Sequence, residues 1–284
     1  MLKTRKIGKS GKSVTAIGLG AMPLSLANRP DEKTAIDVIQ TFIDLGGNFI
    51  DTANVYCKDD TDVGHNERLI KKALKESDKA SQVIIATKGG LRRPKGRWET
   101  DASPEWLRLS CERSLHDLNT DSIFLYQLHA PDPRVPLFDS VGELLRLREE
   151  GKIQHIGLSN VNTHEILTAL SIAPITSVQN RCNILERKSF TNGVIELCGE
   201  KDITFIAHSP VGGHFDHGKL AKNRKLLKIG RETGASPYQV ALAWLLAKGE
   251  HILPIPGASK VSSITSSLQS MDIKLSHTDI RFLD

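Results

Sequence analysis

Short apolar runs alternate with longer helix-like segments along nearly all of the 284 residues. In chain order the apolar runs are AIGLGA, NFID, VIIATK, IFLYQLH, IQHIGLSN, ITSVQN, ITFIAH and HILPIPG. Helical periodicity is found between them, over residues 32–45, 64–77, 103–117, 136–150, 187–199 and 235–247. Eight strands that alternate with helices favour an α/β fold closed as a (β/α)8 barrel over two separate domains. Because no linker-like break interrupts the pattern, we predict one barrel domain over residues 1–284.

The chain also carries signals for helix starts and for an N-terminal hairpin. Asp31, Asp101, Ser103 and Thr163 stand where N-caps are expected, and Pro104 suits a first helical turn. The opening stretch KTRKIGKSGKSVTAIG predicts a small β-hairpin around GKSGKS. We expect this hairpin to cover the floor of the barrel.

The composition is typical of a soluble globular protein, with 39% hydrophobic and 25% charged residues. No apolar run is long enough to cross a bilayer, and MLKTRKIGKS lacks the apolar segment of a signal peptide, so we expect a cytoplasmic protein. The net charge of +5 comes from basic residues scattered among 33 acidic ones, which disfavours nucleic-acid binding and suits a phosphate-bearing cofactor. The four cysteines lack metal-ligand spacing, so we expect free thiols and no metal site.

Polar side chains stand at the carboxyl ends of six successive predicted strands. They are Asp51, Lys88, His129, Ser159 with Asn160, Gln179, and His208 with Ser209. A single residue of this kind is more often the solvated end of a strand, but six in succession are difficult to explain in that way. Since the active site of a (β/α)8 barrel lies at the carboxyl ends of its strands, we predict that these residues face one pocket.

Three of these strand-end residues, together with the nearby Tyr56, are suited to protonating a carbonyl oxygen. The three are Asp51, Lys88 and His129. A tyrosine acts as an acid near neutral pH only if its phenol pKa is lowered, and a lysine ammonium beside it has that effect. Asp51 would keep the ammonium charged, and His129 would orient the carbonyl or share in proton transfer. Because no side chain supplies a hydride, the same site requires a nicotinamide cofactor.

These polar residues lie in phrases that resemble the successive motifs of the aldo-keto reductase superfamily. In order, the phrases are DTANVY, ATKGG, QLHAPDP, IGLSN, SVQN, HSPVGG and IPGASK, and the resemblance runs from Ile17 to about Leu283. It implies the TIM-barrel fold and a catalytic tetrad of Asp51, Tyr56, Lys88 and His129. The implied activity is the NADPH-dependent reduction of an aldehyde or ketone to an alcohol, with Tyr56 as the general acid.

The resemblance also assigns a cofactor site. The nicotinamide carboxamide would be bound by Ser159, Asn160 and Gln179. The pyrophosphate would lie against Ser209, Val211 and Gly213, and the adenosine 2′-phosphate would be bound by Ser259 and Lys260. The remaining predicted cofactor contacts are Gly20, Met22, Asp51, His208, Pro210, Ile255 and Gly257. Because IPGASK opens the last barrel helix, whose N-terminus favours a phosphate, we expect NADPH to be preferred over NADH.

The expected substrate is a small carbonyl compound, in a pocket formed by Met22, Tyr56, Trp98, His129 and Phe215. LSNVNTHEI, VQNRCNIL, ASPYQVALAWLL and IPGASKVSSI most resemble bacterial pyridoxal-reductase-like members, which implies pyridoxal or another small aldehyde. An alternative is a cofactor-binding, redox-sensing partner protein with little turnover, like the potassium-channel beta subunits that resemble this fold. We expect a monomer or a weak homo-oligomer.

Several positions depart from the family pattern. His208 stands where an aromatic residue often stacks on the nicotinamide, and its imidazole can still stack with less area. Ser263, Ser266 and Ser267 stand in place of the usual Arg and Glu-Asn of the last barrel helix, which predicts a cofactor held less tightly and released faster. The long C-terminal loop of many members is expected to be missing.

Cys57 follows the predicted acid at a position where glycine is common in the family. Two interpretations are open. A nearby Lys88 ammonium would lower the thiol pKa and make Cys57 oxidisable, or Cys57 is a space-filling replacement for glycine.

Overall fold

Eight parallel strands form the barrel that the sequence predicts, in a computed structural model that describes residues 2–284 apart from the side chains of residues 214 and 215. In chain order the strands are β1 (Thr4–Lys6), β2 (Ser13–Thr15), β3 (Leu19–Gly20), β4 (Phe49–Asp51), β5 (Ile84–Gly89), β6 (Leu91–Arg92), β7 (Glu99–Thr100), β8 (Ile123–Leu128), β9 (Ile153–Ser159), β10 (Ile175–Arg181), β11 (Thr204–His208) and β12 (Ile252–Ile255). The barrel order is β3-β4-β5-β8-β9-β10-β11-β12. β1 pairs with β2, and β6 with β7, as antiparallel hairpins.

The two-residue strand β3 closes the barrel against the segment that follows β12. A parallel bridge joins Gly20 to Gly257. The N–H groups of Gly18 and Gly20 also donate to the carbonyls of residues 254 and 256, both at 3.0 Å. The backbones approach so closely that a Cβ at Gly20 would lie 2.8 Å from the Ile255 carbonyl oxygen.

Helices surround the barrel, and within residues 2–284 no helix combines the length and apolar character needed to cross a bilayer. They are α1 (Glu32–Asp44), α2 (His65–Lys75), α3 (Pro104–Leu118), α4 (Leu137–Glu149), α5 (Thr163–Leu170), α6 (Lys188–Thr191), α7 (Val194–Glu200), α8 (Gly213–Leu220), α9 (Arg224–Thr233), α10 (Pro237–Ala247), α11 (Val261–Gln269) and α12 (His277–Leu283). The helix predicted over 187–199 is two helices, α6 and α7, because Gly193 between them adopts a left-handed φ of 79°.

Two of the four predicted N-caps are confirmed. The side chains of Asp31 and Ser103 each accept a hydrogen bond from the backbone N–H three residues further on, at the starts of α1 and α3. The prediction of Thr163 is wrong by one residue, since Asn162 caps α5 and forms a capping box with Glu165. Asp101 accepts hydrogen bonds from Ser103 instead of capping a helix.

The N-terminal hairpin covers the floor of the barrel, as predicted. Ile7 and Val14 are fully buried in one cluster with residues of the barrel interior, namely Phe49, Ala86, Leu125, Ile206, Leu253 and Ile255. Gly8 is required at the contact, because its φ is 44° and a Cβ would lie 2.5 Å from the Thr176 carbonyl oxygen. The opposite end of the barrel, where the parallel strands end, is therefore the end available for a site.

Candidate active site

The carboxyl ends of β4, β5 and β8 bring the four predicted catalytic side chains together. Asp51 is the last residue of β4, Lys88 lies one residue before the end of β5, and His129 directly follows β8. Tyr56 lies on the loop after β4, where a 3.1 Å hydrogen bond from its N–H to the carbonyl of residue 53 turns the chain back. All four residues are more than nine-tenths buried.

The Lys88 ammonium group is the centre of this cluster. Its Nζ donates to Asp51 Oδ1 at 2.5 Å, to the Thr52 carbonyl at 2.8 Å and to the Tyr56 hydroxyl oxygen at 3.0 Å. An ammonium group has three N–H donors, so these contacts use all of them. The Tyr56 oxygen is therefore an acceptor from Lys88, and its own O–H is left to donate elsewhere.

The charge states of Lys88 and Tyr56 follow from burial and from each other. Burial lowers the pKa of Lys88, but the Asp51 carboxylate and Tyr56 outweigh it, so the pKa is raised and the group is an ammonium. Burial raises the pKa of Tyr56, and Lys88 opposes this without reversing it. The sequence-based expectation of a lowered phenol pKa is therefore wrong for the net shift, and Tyr56 keeps its proton at neutral pH. Lys88 still lowers the pKa relative to the same buried phenol without the ammonium, so the direction of its effect is the one expected of a group that assists proton release.

The two histidines of the site are neutral. Burial, followed by Lys88 and His208, holds the pKa of His129 well below its usual value. Burial, followed by Lys88 and Arg181, lowers the pKa of His208 to about 3. The rings of Tyr56 and His129 meet edge to face at a centroid distance of 5.7 Å, so the imidazole stands beside the phenol.

Asp51 is held from its other side by two glutamines. The Nε2 atoms of Gln179 and Gln127 donate to Asp51 Oδ2 at 2.7 and 3.1 Å, and Gln179 Nε2 also lies 3.2 Å from Gln127 Oε1. Gln179, predicted for the cofactor, thus uses its amide nitrogen on Asp51 and leaves its oxygen for a cofactor. Sequence reasoning missed Gln127, because it lies inside an otherwise apolar strand; the polar residue within IFLYQL was the signal.

The predicted carboxamide residues lie together at the ends of β9 and β10. Asn160 adopts a left-handed φ of 58° directly after β9, which turns its side chain over the end of the strand. Its Nδ2 donates to the His129 carbonyl at 2.9 Å and lies 3.1 Å from Ser159 Oγ. The Asn160 side chain thereby fixes the main chain of His129. The backbone N–H of Asn160 donates to the Gln179 carbonyl at 3.0 Å, so Asn160 also lies beside Gln179.

The predicted pyrophosphate segment follows β11 as a tight turn. Ser209 has a φ of 53°, and the Gly212 N–H donates to its carbonyl at 3.0 Å. Gly213 has a φ of 59°, and a Cβ there would lie 2.8 Å from Ser209 Oγ. Pro210 is buried and Val211 half-buried in this turn. The side chain of Phe215, predicted for the substrate pocket, lies outside the described residues.

The last predicted cofactor segment lies at the closing edge of the barrel. Ile255 and Gly257 are placed beside Gly20, and Lys260 is the exposed N-cap residue of α11, with Ser259 before it. Among the described residues no side chain caps this N-terminus. An uncapped helix start beside a lysine has the donors and the charge that a phosphate needs.

The serines of α11 do not provide a substitute for charged side chains. Ser267 is buried, and its Oγ donates back to the Ser263 carbonyl at 3.0 Å. Ser266 is half-buried and Ser263 exposed. Hydroxyls that are exposed or bonded to their own helix add no positive charge near Lys260.

One wall of the site is aromatic. Trp98, between β6 and β7, is 47% exposed and lies edge-on to Tyr56 and His129 at centroid distances of 6.5 and 6.4 Å. The Arg93 guanidinium covers one face of the indole at 3.9 Å. Arg93 also donates to the carbonyls of residues 57 and 58, which ties the tryptophan to the loop that carries Tyr56. Met22 packs against the apolar cluster that includes Tyr56.

Cys57 takes no part in the hydrogen bonds that join Asp51, Tyr56 and Lys88. It is fully buried, its Sγ donates to the Val55 carbonyl at 3.3 Å, and burial raises its pKa to about 11. The expectation that a neighbouring cation would lower the thiol pKa is therefore wrong, and the buried position of Cys57 favours the space-filling interpretation. All four cysteines are free. Across the described residues, no three histidine, cysteine or acidic side chains are grouped as a metal site would require.

Comparison with known proteins assigns the class. Residues 16–284 match the Aldo/keto reductase family. Probable aldo-keto reductase 1 of Glycine max is 34% identical over 305 residues, which covers 97% of this chain and 86% of that protein. An uncharacterized oxidoreductase of Schizosaccharomyces pombe is 35% identical over 277 residues, covering 95% and 86%. The chain belongs to the aldo/keto reductase family and is an oxidoreductase.

Solved structures agree with this assignment. A thermostable aldo-keto reductase in complex with the inhibitor epalrestat has a TM-score of 0.86 and 30% identity, covering 100% of this chain and 99% of that one. An aldo-keto reductase of Bacillus halodurans in its holo form has a TM-score of 0.83 and 26% identity, covering 100% and 95%. These likenesses confirm the predicted (β/α)8 barrel.

Proposed function

We propose that this enzyme reduces the carbonyl group of an aldehyde or ketone with NADPH, and that Tyr56 is the general acid. The observation that carries the proposal is the use of all three Lys88 donors, one of them on the Tyr56 oxygen. The phenol keeps its proton, and its O–H has no role within the cluster. This free O–H supports Tyr56 as the group that donates a proton to the carbonyl oxygen of the substrate.

The surrounding residues support this acid. When bound, the cofactor supplies a hydride to the carbonyl carbon. Lys88 stabilises the phenolate that remains after the proton has left, because its Nζ already contacts that oxygen. His129 is neutral, so it can donate an N–H to the same carbonyl oxygen without adding a second cation beside Lys88. Asp51 keeps the ammonium charged through its 2.5 Å contact.

The residues of the rim fit a nicotinamide dinucleotide. The Gln179 oxygen remains available after its nitrogen has bound Asp51, so it would accept from the carboxamide NH2. The Ser209–Gly213 turn would hold the pyrophosphate, and Ser259 with Lys260 at the start of α11 would hold the 2′-phosphate. A lysine placed there favours NADPH over NADH, since NADH has no 2′-phosphate.

The substrate proposed is a small flat aldehyde such as pyridoxal. The Arg93 guanidinium covers one face of the Trp98 ring, and the residue as a whole is 47% exposed, so we propose that the other face of the indole stacks on a planar ring. The likeness to pyridoxal-reductase-like members in LSNVNTHEI and VQNRCNIL supports the same choice. We further propose that the enzyme acts in the cytoplasm as a monomer or weak homo-oligomer, which gel filtration with light scattering tests.

Replacing Tyr56 with phenylalanine tests the acid directly. The variant keeps the ring and loses the proton donor, so single-turnover reduction of an aromatic aldehyde should slow by about 10²–10⁴-fold. The dissociation constant for NADPH, measured by fluorescence, should hardly change.

Tyr126→Phe is the matched control, because Tyr126 is a fully buried tyrosine outside the site whose hydroxyl contacts the Leu107 carbonyl at 3.4 Å. It should keep the native rate. Native-like single turnover by Tyr56→Phe, or an equal loss in both variants, would refute the assignment.

A further inference from the structure

Gln127 is a buried side chain that contacts the catalytic cluster and has no assigned role. It lies on β8 in register with Lys88 on β5 and with Gly157 on β9, and it is fully buried. Its Nε2 donates to Asp51 Oδ2 at 3.1 Å, and its Oε1 lies 3.2 Å from Gln179 Nε2. It therefore contacts both the carboxylate that supports Lys88 and the amide proposed to receive the cofactor.

The neighbouring strand leaves space for this glutamine. A Cβ at Gly157 would lie 2.7 Å from Gln127 Cγ and 2.4 Å from Ser177 Oγ. A side chain at position 157 would therefore force the Gln127 or Ser177 side chain to shift. The glycine at position 157 of the neighbouring strand β9 therefore leaves room for the long side chain of Gln127.

We propose that Gln127 is a positioning residue for proton transfer, because it fixes the Asp51 carboxylate toward Lys88 and sets which way the Gln179 amide faces. Asp51 is buried, and its Oδ2 is held by the two glutamine amides, while Oδ1 is held by Lys88. Without Gln127, the carboxylate loses one of its donors and Gln179 loses the acceptor for its second N–H. Gln179 is then free to rotate its oxygen away from the cofactor side.

The inference rests on the proposed roles of Asp51, Tyr56 and Lys88, so the experiment must distinguish a failure of the Gln127 role from a failure of the proposed function. Gln127→Leu removes both hydrogen bonds. Since a hydrogen bond to a charged group corresponds to about 10- to 150-fold in an equilibrium or rate, single-turnover reduction should slow by at least about 10-fold. The NADPH dissociation constant, measured by fluorescence, should rise, because Gln179 is no longer fixed.

Gln127→Glu gives a signature that a packing role would not produce. When the introduced carboxyl group is protonated, it donates its O–H to Asp51 and accepts from Gln179, so both native contacts are restored. When it is ionised, it places a second carboxylate beside Asp51, and two adjacent carboxylates cannot both ionise without strong repulsion. The rate of Gln127→Glu divided by the native rate should therefore be near one at pH 5 and fall as the pH rises towards 9.

Five other titratable groups belong to the same cluster at the ends of the strands. They are Asp51 on β4, Tyr56 on the following loop, Lys88 on β5, His129 after β8 and His208 on β11. Both histidines stay neutral and Lys88 and Tyr56 stay protonated over most of this range. Asp51 and the introduced carboxyl group titrate as a coupled pair, so the ratio reports the ionisation of that pair, whereas the other four groups keep the same state in both proteins over most of this range.

Ser177→Ala is the matched control, since Ser177 borders the same space at Gly157 and is fully buried. It should keep the native rate and affinity. A native rate in Gln127→Leu, or a Gln127→Glu ratio that does not change with pH, overturns the inference. If Gln127→Leu fails to fold, the pH ratio of Gln127→Glu decides alone. If Tyr56→Phe also keeps the native rate, the proposed function fails as well; if Tyr56→Phe slows as expected, only the role of Gln127 is rejected.

Discussion

Replacing Glu67 with glutamine should remove a large part of the pH dependence of stability between pH 5 and pH 8. Glu67 lies on α2, is fully buried and accepts a 2.6 Å hydrogen bond from Thr87 Oγ1. Burial outweighs that hydrogen bond and raises its pKa from 4.5 to about 7. A carboxyl group with a raised pKa contributes stability that is complete below its unfolded pKa and is lost as the pH rises through its folded pKa.

The magnitude follows from the size of that shift. Each pKa unit corresponds to about 1.4 kcal/mol, so the free energy of unfolding of the native protein should fall by about 2–3 kcal/mol from pH 5 to pH 8 on account of Glu67 alone. Glu67→Gln cannot ionise, so it should lack this contribution. The measurement is urea denaturation of both proteins at pH 5, 6, 7 and 8, with the slopes compared.

The control is Glu196→Gln, which deletes an exposed carboxylate on α7. Its stability should follow the native curve at every pH. Parallel curves for native protein and Glu67→Gln across this range would show that Glu67 does not titrate there, and the reasoning from burial would be refuted.

Two further predictions concern ligand binding. Lys260→Ala should weaken NADPH binding by about 10- to 150-fold and leave NADH binding nearly unchanged, because only NADPH has a 2′-phosphate for this lysine. Fluorescence titration measures the dissociation constants of both cofactors, and an equal loss of affinity for the two would contradict the assignment. Trp98→Ala should raise KM for aromatic aldehydes by roughly 2- to 10-fold, since aromatic contacts of this kind contribute about 0.5–1.5 kcal/mol beyond their buried area, and should raise it less for a short aliphatic aldehyde. Steady-state assays with both substrates test this, and an equal change in KM would exclude stacking.

The barrel could be predicted from sequence because strand and helix patterns alternate without interruption, and the polar strand ends then locate the site. The structure brings Asp51, Tyr56, Lys88 and His129 together for that reason. Side-chain environments could not be predicted in the same way. The phenol pKa of Tyr56 and the thiol pKa of Cys57 are both raised, because burial outweighs the neighbouring cations, and the depth of burial is not visible in a motif.

Other features depend on which side chains meet across the barrel. Gln127 contacts Asp51, 76 residues away, and Gln179 contacts it at a separation of 128 residues. Neither contact has a local signal, although a glutamine within an apolar strand was visible. The prediction of Thr163 instead of Asn162 as the N-cap of α5 is a smaller error. Both residue types accept hydrogen bonds, and only the backbone conformation decides which of them caps the helix.

The closure of the barrel at Gly20 and Gly257 links folding to cofactor retention. The residues proposed to hold the cofactor lie on both sides of this edge, with Gly20 and Met22 on one side and Gly257 with Lys260 on the other. Few backbone hydrogen bonds cross here, so local opening of the native state should begin between β3 and β12. A dinucleotide that spans the edge binds only the closed form, so at 100 times its dissociation constant it adds about 2.7 kcal/mol to the free energy of opening. In a cell that keeps the enzyme saturated with cofactor, the β3–β12 edge of the barrel would therefore also be protected from proteolysis.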